Sequence, residues 1–230
     1  MLARRVRIVR RLTQFLVLWV TFSAPESWAQ NLATNSDFEA TLAPWSQFLS
    51  SSPDPLGAGA APQWAAVPDY SGNSSGSALI AIASTASTDA TNAASGIDQC
   101  VPLSLPTPVH FVHYAGSFFV PTSVAIDASV SATLEIRLYA DAACTSFLTG
   151  ATQAEVFLPT LEKNVWHTLD EDHFVPPGTL PITVGSAEFR AYLRQAGAAL
   201  PQNSYSANFD RLVLVFDATT PVRLQEFDVQ

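Results

Sequence analysis

Three aromatic residues are the side chains best suited to ligand chemistry. Trp64 and Tyr70 flank segments rich in Gly, Pro and Ser, and Tyr114 lies in the aromatic-rich run 109–120. An exposed aromatic ring can stack on the C–H face of a sugar ring while polar neighbours fix the hydroxyl groups. For each of the three, the alternative is a ring that fills the protein core.

Catalytic chemistry has little support in the sequence. We interpret Gly72–Gly76 as a turn and not as the elbow that presents a catalytic serine. Paired carboxylates for glycoside cleavage need only spatial proximity, yet no acidic residue stands in a recognisable motif. The sequence therefore predicts that the protein is not an enzyme.

Two histidine-containing segments could bind a metal. His110 and His113 are three apart on a predicted strand, so they point to opposite faces and cannot share one ion. Residues 166–173, W-H-T-L-D-E-D-H, combine two imidazoles with three carboxylates. A surface metal site is one interpretation of this segment, and a solvated acidic turn between strands is the ordinary one.

The N-terminus resembles an export signal. A basic region at 4–11 precedes a short apolar stretch at 12–22, and Ser27 and Ala29 place small residues before a cut at Gln30. The apolar stretch is shorter than the roughly 20 residues that span a bilayer, so an uncleaved anchor is the weaker alternative. We expect residues 1–29 to be a signal peptide and the protein to be secreted, periplasmic or on the cell surface.

The charge balance limits the partners. Removing residues 1–29 leaves six basic and nineteen acidic residues, a net charge of −13. An acidic surface repels phosphate backbones, so no nucleic-acid partner is expected. No other segment is apolar enough to span a membrane, and carboxylates can collect hard cations such as calcium.

The two cysteines, Cys100 and Cys144, are predicted to form a disulfide, because export permits oxidation and the count is even. Closing this loop would stabilise the fold by about 4 kcal/mol in the chain-entropy estimate. The alternative is two buried free thiols.

The remaining pattern predicts an all-β protein. Short alternating or apolar runs are separated by Gly- and Pro-rich turns, and no window supports a long helix. Residues 133–139 alternate cleanly, with Leu134, Ile136 and Leu138 on one side, as in a half-buried antiparallel strand. We predict one sandwich over residues 30–216, followed by a linker and a C-terminal strand or tail at 217–230.

The opening motif carries a family resemblance. Residues 31–39, N-L-A-T-N-S-D-F-E, followed by L-A-P-W at 42–45, resemble the start of carbohydrate-binding modules with the galactose-binding-like jelly-roll fold. Ser36 stands where that family usually has Gly. Trp166, Phe174 and the Phe209-Asp210 pair resemble the second half of the family. The resemblance implies one antiparallel jelly-roll sandwich whose first and last core strands lie side by side, with Trp45 in the core and Trp166 buried or half-buried.

The resemblance also implies a calcium ion that joins the two ends of the fold. Carried over by position, its ligands would be Glu39 and Asp210, with Asp37 as a third. The alternative is that Glu39 and Asp210 cap turns through hydrogen bonds.

Fold and composition together favour a secreted, non-catalytic module that binds a glycan or extracellular polysaccharide. The alternative is a structural or adhesive cell-surface sandwich with no sugar site, since this fold serves several functions.

Overall fold

A computed structural model describes residues 30–50, 61–72, 75–83, 93–109, 111–122, 130–158, 161–174, 182–195 and 204–217. The predicted signal peptide at 1–29 and residues 218–230 of the predicted tail lie outside the described residues, so both stay predictions. No helix long and apolar enough to cross a membrane occurs among the residues described.

Ten β-strands carry the regular structure of the described ranges. Their bounds are β1 Ser46–Ser50, β2 Gln63–Ala65, β3 Ser77–Ala83, β4 Ala93–Val109, β5 Phe111–Phe119, β6 Val130–Tyr139, β7 Phe147–Phe157, β8 Trp166–Phe174, β9 Ile182–Gln195 and β10 Ser204–Asp217.

The strands form two antiparallel sheets that pack face to face. The first sheet has the order β1-β4-β9-β6-β7, and the second has the order β2-β3-β10-β5-β8. All neighbouring strands are antiparallel. The predicted all-β sandwich is confirmed.

The core lies between the inner faces of the two sheets. Large rings fill it, among them Phe189 of the first sheet and Phe118 and Phe209 of the second, all at most 1% exposed. Trp45 enters this core as predicted, with its ring 5.7 Å from that of Phe189 and 6% of its surface exposed. Trp166 is half-buried, also as predicted.

The opening segment lies against β10, although not as the strand expected there. Residues 30–45 form bends and turns. Leu32 N donates to Leu214 O at 2.8 Å, and Leu212 N donates to Ser36 O at 3.1 Å. The Asn31 side chain donates to Leu212 O and accepts from Leu214 N, both at 2.9 Å. A side chain thus replaces part of a strand ladder, and the two ends of the fold lie side by side as expected.

This docking is possible because β10 is irregular at that point. Its register with β5 shifts between Asp210 and Val213, and Arg211 has a φ of 51°. Residues in such a bulge leave the ladder and turn their backbone groups elsewhere. Leu212 accordingly hydrogen-bonds to the opening segment.

Strand β4 is longer than the sequence predicts. Prolines at 102, 106 and 108 favour the end of a strand, because proline cannot donate a hydrogen bond to the ladder, but β4 continues to Val109. Its register with β9 shifts between Pro102 and Thr107, which takes the intervening residues out of the ladder. The predicted strand 109–120 is correspondingly divided between the end of β4 and β5.

Candidate functional site

The face of the first sheet that points away from the core is unusually rich in charged and aromatic residues. Alternate residues of β9 and β6 face the core, so the residues between them share the opposite side. Three of the five arginines that follow residue 29 lie there. We call this surface the outer face; it comprises Phe48, Gly96, Asp98, Cys100, Ser131, Thr133, Glu135, Arg137, Tyr139, Phe147, Glu155, Phe157, Ser186, Glu188, Arg190, Tyr192 and Arg194.

The outer face corrects the expectation that β6 is half-buried. Thr133, Glu135 and Tyr139 were predicted on the polar, solvent-facing side of the strand. They are only 0%, 3% and 7% exposed, respectively. Their side chains are buried because they lie among the long side chains of the neighbouring strands.

The centre of the outer face is built from one short pattern that occurs twice. Strand β6 contains Glu135-x-Arg137-x-Tyr139, and β9 contains Glu188-x-Arg190-x-Tyr192. The two strands are antiparallel and in register, with Glu135 opposite Arg190 and Arg137 opposite Glu188. Each glutamate of one pattern therefore faces the arginine of the other, and the two patterns are related by a local two-fold.

Ion pairs and hydrogen bonds join the two patterns. Arg190 donates to Glu188 Oε1 from Nε at 2.9 Å and from Nη2 at 2.7 Å, and its Nη1 lies 3.5 Å from Glu135 Oε2. Arg137 Nε donates to Glu135 Oε1 at 2.7 Å. Tyr139 donates to Glu188 Oε2 at 2.5 Å, and Tyr192 is hydrogen-bonded to Glu135. The carboxylates are thereby held in fixed positions, as a binding surface requires.

The two arginines differ in what covers them. The guanidinium of Arg190 lies over the ring of Phe48, 4.3 Å from its centroid, and its side chain is 10% exposed. Phe48 reaches this position from β1 because Gly96, between it and Tyr192, has no side chain. The Arg137 side chain is 38% exposed, so it is the more open of the pair.

Exposed aromatic rings lie beyond Arg137, on the edge strand β7. Phe147 is 56% exposed and packs edge-on against Tyr139, with ring centroids 5.8 Å apart. Phe157, nearer the other end of β7, is 38% exposed. The outer face thus joins open apolar rings to a buried network of charges.

Burial shifts the acidity of several groups on the outer face. Desolvation raises the pKa of Asp98 to about 6, and the neighbouring Glu188 adds to this shift through its charge and through hydrogen bonding. Burial and Glu188 likewise raise the pKa of Tyr139 to about 12. Burial and Glu135 raise the pKa of Tyr192. Both phenols therefore remain hydrogen-bond donors at neutral pH.

The predicted disulfide between Cys100 and Cys144 is formed. Cys100 lies on β4 directly opposite Glu188 of β9. Cys144 lies in the turn between β6 and β7, where its N–H donates to Ser186 Oγ at 3.2 Å. The disulfide therefore fixes the turn that leads into Phe147.

Trp64 lies on β2 of the other sheet and Tyr70 in the loop between β2 and β3, both apart from the outer face. Each is 37% exposed. Trp64 donates its indole N–H to Phe38 O at 2.6 Å, and Tyr70 packs edge-on against Trp166 at 5.5 Å. The Arg211 guanidinium lies 4.7 Å from the centroid of the Tyr70 ring. Both rings reach solvent, but these contacts already occupy part of their surface.

Tyr114 does not lie where a ligand could reach it. Its side chain is 0% exposed and packs against Phe189 at 6.4 Å. The prediction that it binds ligand is wrong, because alternation along β5 points this ring into the core.

Of the three predicted calcium ligands, Asp210 is buried, and Asp37 is close enough to act on its charge. Asp210 is 1% exposed and accepts hydrogen bonds from Tyr70 N at 3.0 Å and Arg211 N at 2.8 Å. Burial, with the charges of Asp37 and Asp69, raises its pKa to about 6. Glu39 is exposed. Within the described ranges, no three His, Cys, Asp or Glu side chains converge on one metal position, so carbonyl oxygens would have to complete a site.

The acidic segment 166–173 lies in strand β8 and not in a turn. His113 Nδ1 of β5 lies 3.5 Å from Asp170 Oδ1, and His167 packs against Phe118 at 5.4 Å. His167 therefore contacts β5, and the side chain of His173 lies outside the described residues, so the surface metal site at 166–173 stays a prediction. His110 lies outside the described residues.

Comparison with known proteins bears on the fold. Over 86% of its length, the chain superimposes on the tandem family 22 carbohydrate-binding modules of Paenibacillus barcinonensis Xyn10C, with a TM-score of 0.50, 14% identity and 52% of that chain covered. This chain has the fold of a carbohydrate-binding module. The resemblance inferred from the opening motif is confirmed at the level of the fold.

Other similar structures span binding modules and an enzyme. A family 61 module in complex with β-1,4-galactotriose matches 82% of this chain and 100% of its own, with a TM-score of 0.47 and 11% identity. The enzymatically active domain of tailspike protein 4 of bacteriophage CBA120 matches 81% of this chain and 21% of its own, with a TM-score of 0.50 and 11% identity. No family model and no curated protein matches the chain.

Sequence reasoning missed the outer face, although a signal was present. The repeated E-x-R-x-Y pattern places one acid, one base and one phenol on the same side of each strand. What the pattern alone does not show is that β6 and β9, more than forty residues apart, are neighbours.

Proposed function

We propose that this carbohydrate-binding-module-like domain binds a glycan and does so on the outer face. The observation that carries the proposal is the composition of that face: paired Glu, Arg and Tyr side chains lie beside the open rings of Phe147 and Phe157. Sugar rings stack on aromatic faces, and fixed polar groups select their hydroxyls. A sandwich without a ligand would more simply carry small polar residues there.

A non-catalytic role fits the carboxylates of this face. Burial and the neighbouring Glu188 raise the pKa of the Asp98 carboxyl, and Glu188 itself accepts hydrogen bonds from Arg190 and Tyr139. Both oxygens of Glu188 are held by Arg190 and Tyr139 within the network, which fits a fixed polar contact better than a general acid or base.

Binding of a range of glycans to residues 30–230 on an array, followed by titration calorimetry, tests the proposal. Phe147→Ala removes an open ring of the outer face, and we expect binding to weaken about tenfold. Tyr70→Ala removes a ring of similar size from the β2–β3 loop, outside the outer face, and should leave binding unchanged. The reverse result would move the site to Trp64 and Tyr70, and no retained glycan would favour a structural or adhesive protein.

We also propose that calcium joins the opening segment to β10. Asp210 is a buried carboxylate with Asp37 and Asp69 close enough to raise its pKa, which supports a compensating cation. Asp210 and Asp37 would hold the ion together with backbone oxygens, and Glu39 would contribute from the surface. When bound, calcium would neutralise these charges and tie residues 30–45 to the last strand.

Export of the protein stays part of this proposal. The expected cut lies before Gln30, and N-terminal sequencing of the protein recovered from the producing cells would test it. Gln30 as the first residue would support export, and a retained Met1 would contradict it.

A further inference from the structure

The two E-x-R-x-Y patterns of the outer face differ in one respect: an aromatic ring covers the arginine of one pattern and not the arginine of the other. The uncovered arginine indicates a position for a ligand group. Phe48 covers the Arg190 guanidinium at 4.3 Å. Arg137 is the equivalent residue of the other pattern, yet it is 38% exposed against 10% for Arg190. The position that Phe48 occupies over one arginine is thus open over the other.

Arg137 is also held for binding. Its Nε donates to Glu135 Oε1 at 2.7 Å, and Glu135 is 3% exposed. The two terminal NH₂ groups make no hydrogen bond within the part of the chain that the structure describes. A guanidinium fixed through Nε presents its outer edge as two parallel donors, a geometry that fits a carboxylate.

The two glutamates at the centre of the outer face do not compete for this role. Glu188 Oε1 accepts from Arg190, and Oε2 accepts from Tyr139. Glu135 accepts from Arg137 and Tyr192. These two carboxylates are therefore directed into the network, and Arg137 is the most exposed of the four charged side chains of the two patterns.

An open ring lies beside this edge. Tyr139 lies two residues from Arg137 and therefore on the same face of β6. Its ring contacts that of Phe147 across the strands, with centroids 5.8 Å apart, so Tyr139 adjoins both Arg137 and Phe147. A sugar residue stacked on Phe147 can extend a substituent to Arg137.

Building on the proposed glycan site, we infer that the outer face selects acidic glycans, with the Arg137 guanidinium pairing with the carboxylate of a uronic acid whose ring stacks on Phe147. A neutral sugar would fill the same stacking position without using the charge. A sulfated sugar offers the same negative charge with a different shape, so the experiment includes it.

The test measures the Kd of residues 30–230 for three oligosaccharides of equal length: a uronate, its neutral counterpart and a sulfated one. We expect the uronate to bind about tenfold more tightly than the neutral sugar, as a charge-assisted bidentate pair provides. Arg137→Gln should abolish that preference while weak neutral binding remains, and Arg137→Lys should restore only part of it. Arg211→Gln removes the same charge outside the outer face and should leave the preference intact.

The outcomes separate this inference from the proposed function. Equal or tighter binding of the neutral sugar, or a uronate preference that survives Arg137→Gln, overturns the inference and leaves glycan binding standing. Tightest binding of the sulfated sugar overturns the assignment to a carboxylate. Binding of none of the three overturns the inference, and the glycan array then decides the proposed function. A circular dichroism spectrum of each variant shows whether it is folded.

Discussion

The rings of Phe48 and Tyr192 meet across Gly96, with their centroids 5.2 Å apart. They belong to β1 and β9, which are separated by β4, so only a residue without a side chain on β4 allows the contact. A Cβ at Gly96 would lie 2.4 Å from the Cβ of Tyr192. This contact places the Phe48 ring against the Arg190 guanidinium and closes one side of the outer face.

Replacing Phe48 tests how much this arrangement stabilises the protein. Phe48→Leu keeps an apolar side chain but removes the contacts with Tyr192 and Arg190. We expect the free energy of unfolding, measured with urea, to fall by about 1–2 kcal/mol. Leu49→Ala, one residue further along β1, changes a side chain that is 61% exposed and should alter stability by less than about 0.5 kcal/mol. Equal effects of the two substitutions would show that the stacked rings contribute nothing specific.

The raised pKa of Asp98 predicts how the free energy of unfolding depends on pH. Its pKa is raised to about 6 in the folded protein, against about 3.9 in an unfolded chain. The folded state therefore binds this proton more tightly, and the stabilisation is complete below pH 4 and lost as the pH rises through 6. Asp98→Asn keeps a neutral hydrogen-bonding partner for Glu188 at all pH values. We expect Asp98→Asn to exceed the wild type in stability by about 1–2 kcal/mol at pH 7.5, after allowance for partial exposure.

The measurement is the difference in unfolding free energy between Asp98→Asn and wild type at pH 4, 5, 6 and 7.5. Taking the difference cancels the titration of other carboxyl groups. A difference that does not change with pH would contradict the assigned shift of the Asp98 pKa.

We expect removal of the disulfide to lower the free energy of unfolding substantially. Cys100 and Cys144 are 44 residues apart in the chain, and opening this loop should cost about 2–4 kcal/mol. The double variant Cys100→Ser, Cys144→Ser should show this loss in urea unfolding. Reduction of the wild type should reproduce it, while the same reductant should not affect the double variant. An unchanged midpoint after reduction would contradict the prediction.

The calcium proposal predicts that a chelator lowers the melting temperature. At a calcium concentration of about 100 times Kd, the bound ion adds about 2.7 kcal/mol, which corresponds to a shift of roughly 5 °C or more. Asp210→Asn should remove the difference between calcium and chelator, because it replaces the buried carboxylate. Asp98→Asn, on the opposite sheet, should retain it. Identical melting curves of the wild type in calcium and in chelator would remove the proposal.

Much of the fold was predictable because it depends on local patterns. Alternation marked β6, and the even count of cysteines, in a chain whose N-terminus resembles an export signal, marked the disulfide. The opening motif placed Trp45 in the core and residues 30–45 beside β10. Each of these inferences needs only nearby residues or a short motif.

The errors arose where a distant partner determines the outcome. The Asn31 side chain hydrogen-bonds to β10, so the opening segment needs no strand of its own. Tyr114 lies in a run with apolar residues on both faces, and sequence alone gives no sign of which face meets Phe189. The outer face depends on the pairing of β6 with β9, and the repeated E-x-R-x-Y pattern gains meaning only when the two strands are known to be adjacent.

The prolines of β4 affect how readily the protein associates with other chains. Within the described residues, β1 pairs with β4 only along 94–98, so the half of β4 that carries Pro102, Pro106 and Pro108 has β9 as its single neighbour. An unpaired strand edge of this kind would normally offer a row of backbone amide donors to an extended segment of another chain. Prolines lack those donors, so this edge resists the edge-to-edge association that leads β proteins to aggregate.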